Sequence, residues 1–130
     1  MDIILLPIRP KYVEEIFNGN KKYEYRKTIP KRKIKKIIIY STSPVMKVVG
    51  EADVVKVLKA KPNDLWNMTK NYSGIEKEKY DKYFSNSEIA FAYEITNVIK
   101  YNNPYLLKEI GIDFYPQSFI YLSENKINFD

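Results

Sequence analysis

Gly19-Asn20-Lys21-Lys22-Tyr23-Glu24-Tyr25-Arg26 is the stretch that decides how this chain is read. Gly19 suits the positive φ that closes a helix. From Lys22 to Thr28 the residues predict a short strand. Side chains alternate along a strand, so Tyr23 and Tyr25 fall on one face and Glu24 and Arg26 on the other. Lys21 has the opposite parity to Glu24, but it sits at the mouth of the turn, where parity does not bind it. The stretch therefore offers one carboxylate between two cations on a rigid support.

Upstream, Ile3 to Ile8 is a continuous apolar run and predicts a buried strand. Pro10 suits the first turn of a helix whose stripe is Tyr12, Val13, Ile16 and Phe17. Downstream, Ile29-Pro30 ends the motif strand. A basic connector of Lys31, Arg32, Lys33, Lys35 and Lys36 follows. A charge run of this kind is either a solvated hairpin loop or a clamp that steers phosphates, and both readings stand. Ile37 to Tyr40 predicts another buried strand. Ser41-Thr42-Ser43-Pro44 after it reads as a polar turn, with Ser41 and Ser43 as secondary cleft candidates.

Val45 to Lys59 is long for one strand. Its apolar parity changes, so a bulge is expected at Gly50 or at Val54-Val55. Pro62 opens a helix carrying Leu65, Trp66 and Met68, and Tyr72-Ser73-Gly74 stops it. A second helix, from Ile75 to Phe84, should bury Tyr80, Tyr83 and Phe84. Trp66 reads as core rather than as a stacking platform. A strand from Ile89 to Tyr101 buries Ile89, Phe91, Tyr93, Ile95 and Ile99 by alternation. Asn102-Asn103-Pro104 ends it. A short helical turn ends at Gly111, and a last strand spans Ser118 to Leu122. The order predicts an α+β fold, a small mixed β-barrel with helices packed around it. One domain over 1–122 and a polar tail over 123–130 are expected.

Composition narrows the chemistry. The chain has 130 residues, no Cys and no His, which excludes disulfides, thiolate–zinc sites and Ser-His-Asp catalysis. A carboxylate-held magnesium or calcium stays open, but no acidic loop resembles a calcium site, and no metal or cofactor is expected. The net charge of +6 favours a polyanionic partner, although a Lys- and Asn-rich bias also arises in AT-rich genomes. No targeting segment or apolar span of membrane length is seen, so a cytoplasmic protein is expected.

The pattern G-x-K-x-x-E-x-R at Gly19, Lys21, Glu24 and Arg26 resembles the signature of the ASCH superfamily, a branch of the PUA-like β-barrel folds. The flanks agree: Ile8-Arg9-Pro10-Lys11-Tyr12, Ile39-Tyr40-Ser41-Thr42-Ser43-Pro44, Val49-Gly50-Glu51 and Pro116-Gln117-Ser118-Phe119 are similar to the family's successive strands. The resemblance covers most of the chain. It implies RNA or nucleotide binding in a cleft floored by the motif, and some members are described as transcriptional regulators. It also implies an alternative, a small hydrolase. One group of members is an amidohydrolase acting on acetylcytidine, another a ribonuclease. The amidohydrolase pattern matches Lys21 and Arg26 but has Thr where this chain has Glu24. Its further carboxylate has no settled counterpart here; Glu76, Glu78 and Glu88 are candidates.

On their own chemistry, Lys21 is a candidate base or nucleophile, Glu24 a proton shuttle and Arg26 an anion fork. The bland alternative is a surface ion pair between Glu24 and Arg26 with Lys21 in solvent. A protein-interaction or DNA-regulatory role ranks last, because no helix-turn-helix is present.

Overall fold

A computed structural model describes residues 2–123. Strands run over Asp2–Ile8 (β1), Tyr23–Arg26 (β2), Ile34–Ser41 (β3), Lys47–Ala60 (β4), Ala90–Tyr105 (β5) and Ile120–Leu122 (β6). Helices span Pro10–Phe17 (α1), Pro62–Thr69 (α2) and Lys77–Tyr83 (α3). The six strands form one sheet in the order β2-β5-β4-β3-β1-β6. β1 and β3 are parallel and the other pairs antiparallel, so the α+β class and the mixed sheet are as expected. Most of the predicted tail, residues 124–130, lies outside the described residues.

Both faces of the sheet are covered. Ile4, Leu6 and Ile8 of β1 and Ile37 and Ile39 of β3 share a parity and pack with Tyr93 and with Val13 and Ile16 of α1. On the other face Tyr25, Ala90 and Ala92 pack under Leu65 of α2 and Tyr80 of α3. Further along that face, Leu107 and Ile112 cover Ile38, Tyr40, Val48 and Tyr101.

The edges β2 and β6 are not paired to each other, so backbone hydrogen bonds do not close the barrel. The sheet is nevertheless rolled. Arg26 on β2 donates from Nη2 to the Pro7 carbonyl on β1 at 2.6 Å. In a flat sheet those strands, four spacings apart, would be separated by about 19 Å, far beyond an arginine's reach. Register shifts in β4 at Val48/Gly50, Glu51/Asp53 and Val54/Lys56 supply the bend, at both places the alternation marked.

Several local expectations need correction. β2 stops at Arg26 because its partner β5 starts at Ala90, one residue before Phe91, which pairs with Arg26. β3 begins at Ile34, so Lys35 and Lys36 lie on a strand rather than in the connector. β5 continues through Asn102-Asn103-Pro104 because β4 still offers Val48 as a partner for Tyr105. Within β5, Asn97 takes a positive φ of 50° and the alternation breaks there, leaving Ile99 exposed rather than buried. Ile89 precedes β5 and is exposed too. Met68 and Tyr83 face outward from their helices.

Candidate functional site

The motif residues converge where β2 meets the end of α1. The turn after α1 has Gly19 at φ 83°, as the sequence predicts. The backbone around Lys21 is then pinned: Lys21 N–H donates to the Glu15 carbonyl, Lys22 N–H to the Tyr72 carbonyl, and Ile95 N–H to the Lys22 carbonyl. In consequence the Lys21 side chain is not in solvent but 2% exposed. Its Nζ donates to the Ser73 carbonyl at 2.7 Å and lies 3.8 Å from Glu24 Oε1, an ion pair rather than a hydrogen bond. The Tyr25 and Tyr12 rings flank it, with centroids 4.7 and 5.4 Å from Nζ.

Glu24 is also buried, on the inner face beside Tyr93, its partner across the β2–β5 ladder. Its Oε2 lies 3.1 Å from Arg26 Nη1. Arg26 is the most open of the three, with its side chain 25% exposed. Its guanidinium also donates to the Tyr25 and Pro7 carbonyls. Two of five N–H donors are thus committed to main-chain oxygens and the carboxylate takes a third side, which leaves donors for an incoming anion.

The local charge sum is two cations against one carboxylate. Burial pushes the Lys21 ammonium below its usual range; Glu24 opposes the shift and Arg26 adds to it. Burial pushes the Tyr93 hydroxyl up to about 12, with Arg26 pulling the other way. Tyr93 therefore stays a neutral donor beside the cluster.

The sequence brings Lys21, Glu24 and Arg26 together as expected, yet two partners of Lys21 carry no local signal. The Ser73 carbonyl and Gly74 lie 52 and 53 positions away, and Ser73-Gly74 reads as nothing more than a helix stop. Gly74 has φ 63°, and a Cβ there would stand 2.3 Å from Lys21 Cβ. That close approach is what seals the ammonium.

Ser41 is buried at the end of β3, opposite Ile8, one ladder step from the Arg26 acceptor Pro7. Ser43 is exposed in the turn before Pro44. Neither bonds to the cluster among the described residues.

The basic segment divides. Lys31, Arg32 and Lys33 are exposed. Lys36 is engaged by Glu51 at 2.5 Å and Asp53 at 3.6 Å, which raises its pKa and removes it from any phosphate patch. Lys35 is half-buried on β3. A hollow of about 380 Å³ lies beneath this loop, lined by Lys31, Arg32, Lys33, Lys56, Ile34 and Tyr93 among others. Neither this hollow nor a wider one of about 850 Å³ is lined by Lys21, Glu24 or Arg26. Among the described residues no group of three His, Cys, Asp or Glu side chains converges on a metal site. No described helix is long and apolar enough to cross a membrane.

A family model for the ASCH domain matches residues 6–105. The chain is 34% identical over 120 residues to ATP synthase subunit alpha of Ureaplasma parvum, and 32% over 122 residues to that organism's large ribosomal subunit protein uL22. It spans only 15% and 39% of those two proteins. It is also 29% identical over 126 residues to an ASCH domain-containing ribonuclease of Zymomonas mobilis, covering 94% of this chain and 85% of that one. The crystal structure of ASCH from Zymomonas mobilis superposes with a TM-score of 0.88 at 28% identity, over 96% of this chain and 90% of that chain.

Proposed function

The chain belongs to the ASCH domain family, and from that premise we propose that it binds RNA, taking a nucleotide at the Lys21–Glu24–Arg26 cluster. The observation that carries this is the arrangement of the cluster: a buried cation and carboxylate fix the orientation of a third, partly exposed guanidinium. A guanidinium held in this way is an anion fork that needs no reordering when a phosphate arrives. Lys31, Arg32 and Lys33 add a long-range field that draws the phosphodiester backbone in. Such a protein would work in the cytoplasm, where its RNA is.

The test is a titration of wild type and Arg26→Ala with a short single-stranded RNA, followed on the same samples by mass analysis. Arg26→Ala should weaken binding about 10- to 100-fold, the loss expected for one or two charge-assisted hydrogen bonds. Equal affinity in the two proteins would remove the cluster from the binding site.

A second reading is favoured by one observation, the lowered pKa of Lys21. An amine that gives up its proton more easily can act as a general base, and the similar Zymomonas mobilis protein is named a ribonuclease. In that case Lys21 moves the proton, Glu24 relays it and Arg26 stabilises charge on the phosphoryl oxygens. The amidohydrolase alternative fits less well, because Glu24 stands where that group has Thr. Product from wild type but not from a folded Lys21→Met would establish the enzyme; product from both would remove Lys21 from the chemistry.

A further inference from the structure

We propose that three tyrosines, each covered by a cation from one continuous segment, form a track for single-stranded RNA along the open seam of the sheet. This rests on the reading that the chain binds RNA. Residues 22–32 run down the edge strand β2 and cross to the start of β3. They carry cations at intervals of five: Lys22, Lys27 and Arg32. Lys22 Nζ lies 4.1 Å from the Tyr72 ring centroid, Lys27 Nζ 4.8 Å from that of Tyr83, and the Arg32 guanidinium 4.4 Å from that of Tyr121. The rings come from three separate places: the turn after α2, α3 and β6. They are 46%, 36% and 37% exposed.

The bland alternative is lysine and arginine stems covering tyrosine faces, as they do on many surfaces. Here three of them fall within one segment of eleven residues, at equal intervals, on rings brought from three separate elements. Each pair also holds what one nucleotide needs: a flat ring for the base and a cation for the phosphate. When RNA binds, the cation leaves the ring for a phosphate and the base takes the ring face.

The placement joins this track to the cluster. The seam lies between the two unpaired edges, β2 and β6. Tyr72 and Tyr83 flank it on the β2 side and Tyr121 on the β6 side. Arg26 lies between Lys22 and Lys27 in the chain and spans the seam to Pro7. Lys22 and Lys27 are about 16 Å apart along an extended backbone. A strand threaded past both, and on to Arg32, matches the span of about 4–16 nucleotides that single-strand binding folds occupy.

The experiment compares a 12-nucleotide oligouridylate with diuridylate on the full chain. The double variant Tyr72→Leu/Tyr83→Leu should bind the 12-mer at least about tenfold more weakly, the loss of stacking by at least one base, and diuridylate as wild type does. The double variant Tyr72→Phe/Tyr83→Phe keeps the rings and should bind both as wild type does. Should the Leu pair fail to fold, Lys22→Gln/Lys27→Gln carries the test, with the same length-dependent loss and a shallower salt dependence. A Leu pair that binds the 12-mer like wild type, or that weakens both lengths equally, overturns the track. If Arg26→Ala weakens both RNAs while neither double variant weakens the 12-mer, the track alone fails. If wild type binds neither RNA, the RNA reading fails and the track with it.

Discussion

Lys21 is where the fold accepts a cost for the site. Its ammonium is held in an apolar enclosure with one carbonyl and a carboxylate at ion-pair distance. Its folded pKa lies below the ordinary 10.5. Between those two values the unfolded chain holds the proton more tightly, so stability rises with pH through that window and the penalty is full below it. Burial raises the pKa of Tyr25, Tyr80, Tyr93 and Tyr101 above 10, so their contribution is lost only as pH climbs past 10. Lys79 is shifted downward too, so the Lys21 effect is read as a difference between wild type and Lys21→Met, in which the other groups cancel. Lys21→Met should melt at or above the wild-type temperature near neutral pH while binding RNA more weakly. As pH rises toward 10.5, urea unfolding should show wild type gaining stability relative to Lys21→Met; a constant difference would mean the amine is not strained. The period of two places Glu24 and Arg26 together, so that pair is legible. The burial of Lys21 is not, because it depends on Ser73 and Gly74 and on the backbone bond to Tyr72.

At the scale of elements, the turn after α2 is a functional part rather than a connector. Gly74→Ala combines a positive φ with contact on Lys21 Cβ and should cost about 1–3 kcal/mol in denaturant unfolding. It should also weaken RNA binding, since the relief available is a shift of Lys21. The basic connector separates by element too. Lys36→Met removes a bond to Glu51, half of a carboxylate that also accepts from Tyr101. It should lower stability by about 1 kcal/mol and leave RNA affinity within twofold. Lys31→Gln/Lys33→Gln should do the reverse. The charge run reads as one unit in sequence; only the start of β3 at Ile34, and acidic partners waiting on β4, divide it. In the same way strand alternation predicts Ile99 as buried, and the left-handed Asn97 turns it out.

For the whole molecule, the order of strands and helices is legible because apolar runs and Gly/Pro breaks coincide with real boundaries. The open seam is not, since no residue in the sequence states which strands become edges. The domain matches segments of much longer proteins as well as most of a ribonuclease. Cations held in ion pairs with acidic partners, such as Lys21 and Lys36, differ from those exposed along residues 22–33. Only the latter should release counterions. The measurement that bears most directly on the central claim is the affinity of wild type and Arg26→Ala for a 12-nucleotide single-stranded RNA between about 50 and 200 mM salt. Log affinity should fall linearly with log salt, with a slope of about −2 to −3 for three or four phosphates. Arg26→Ala should bind more weakly throughout, with a slope shallower by about one contact. Affinity that is flat with salt, or curves that coincide for the two proteins, would contradict an RNA site built on Lys21, Glu24 and Arg26.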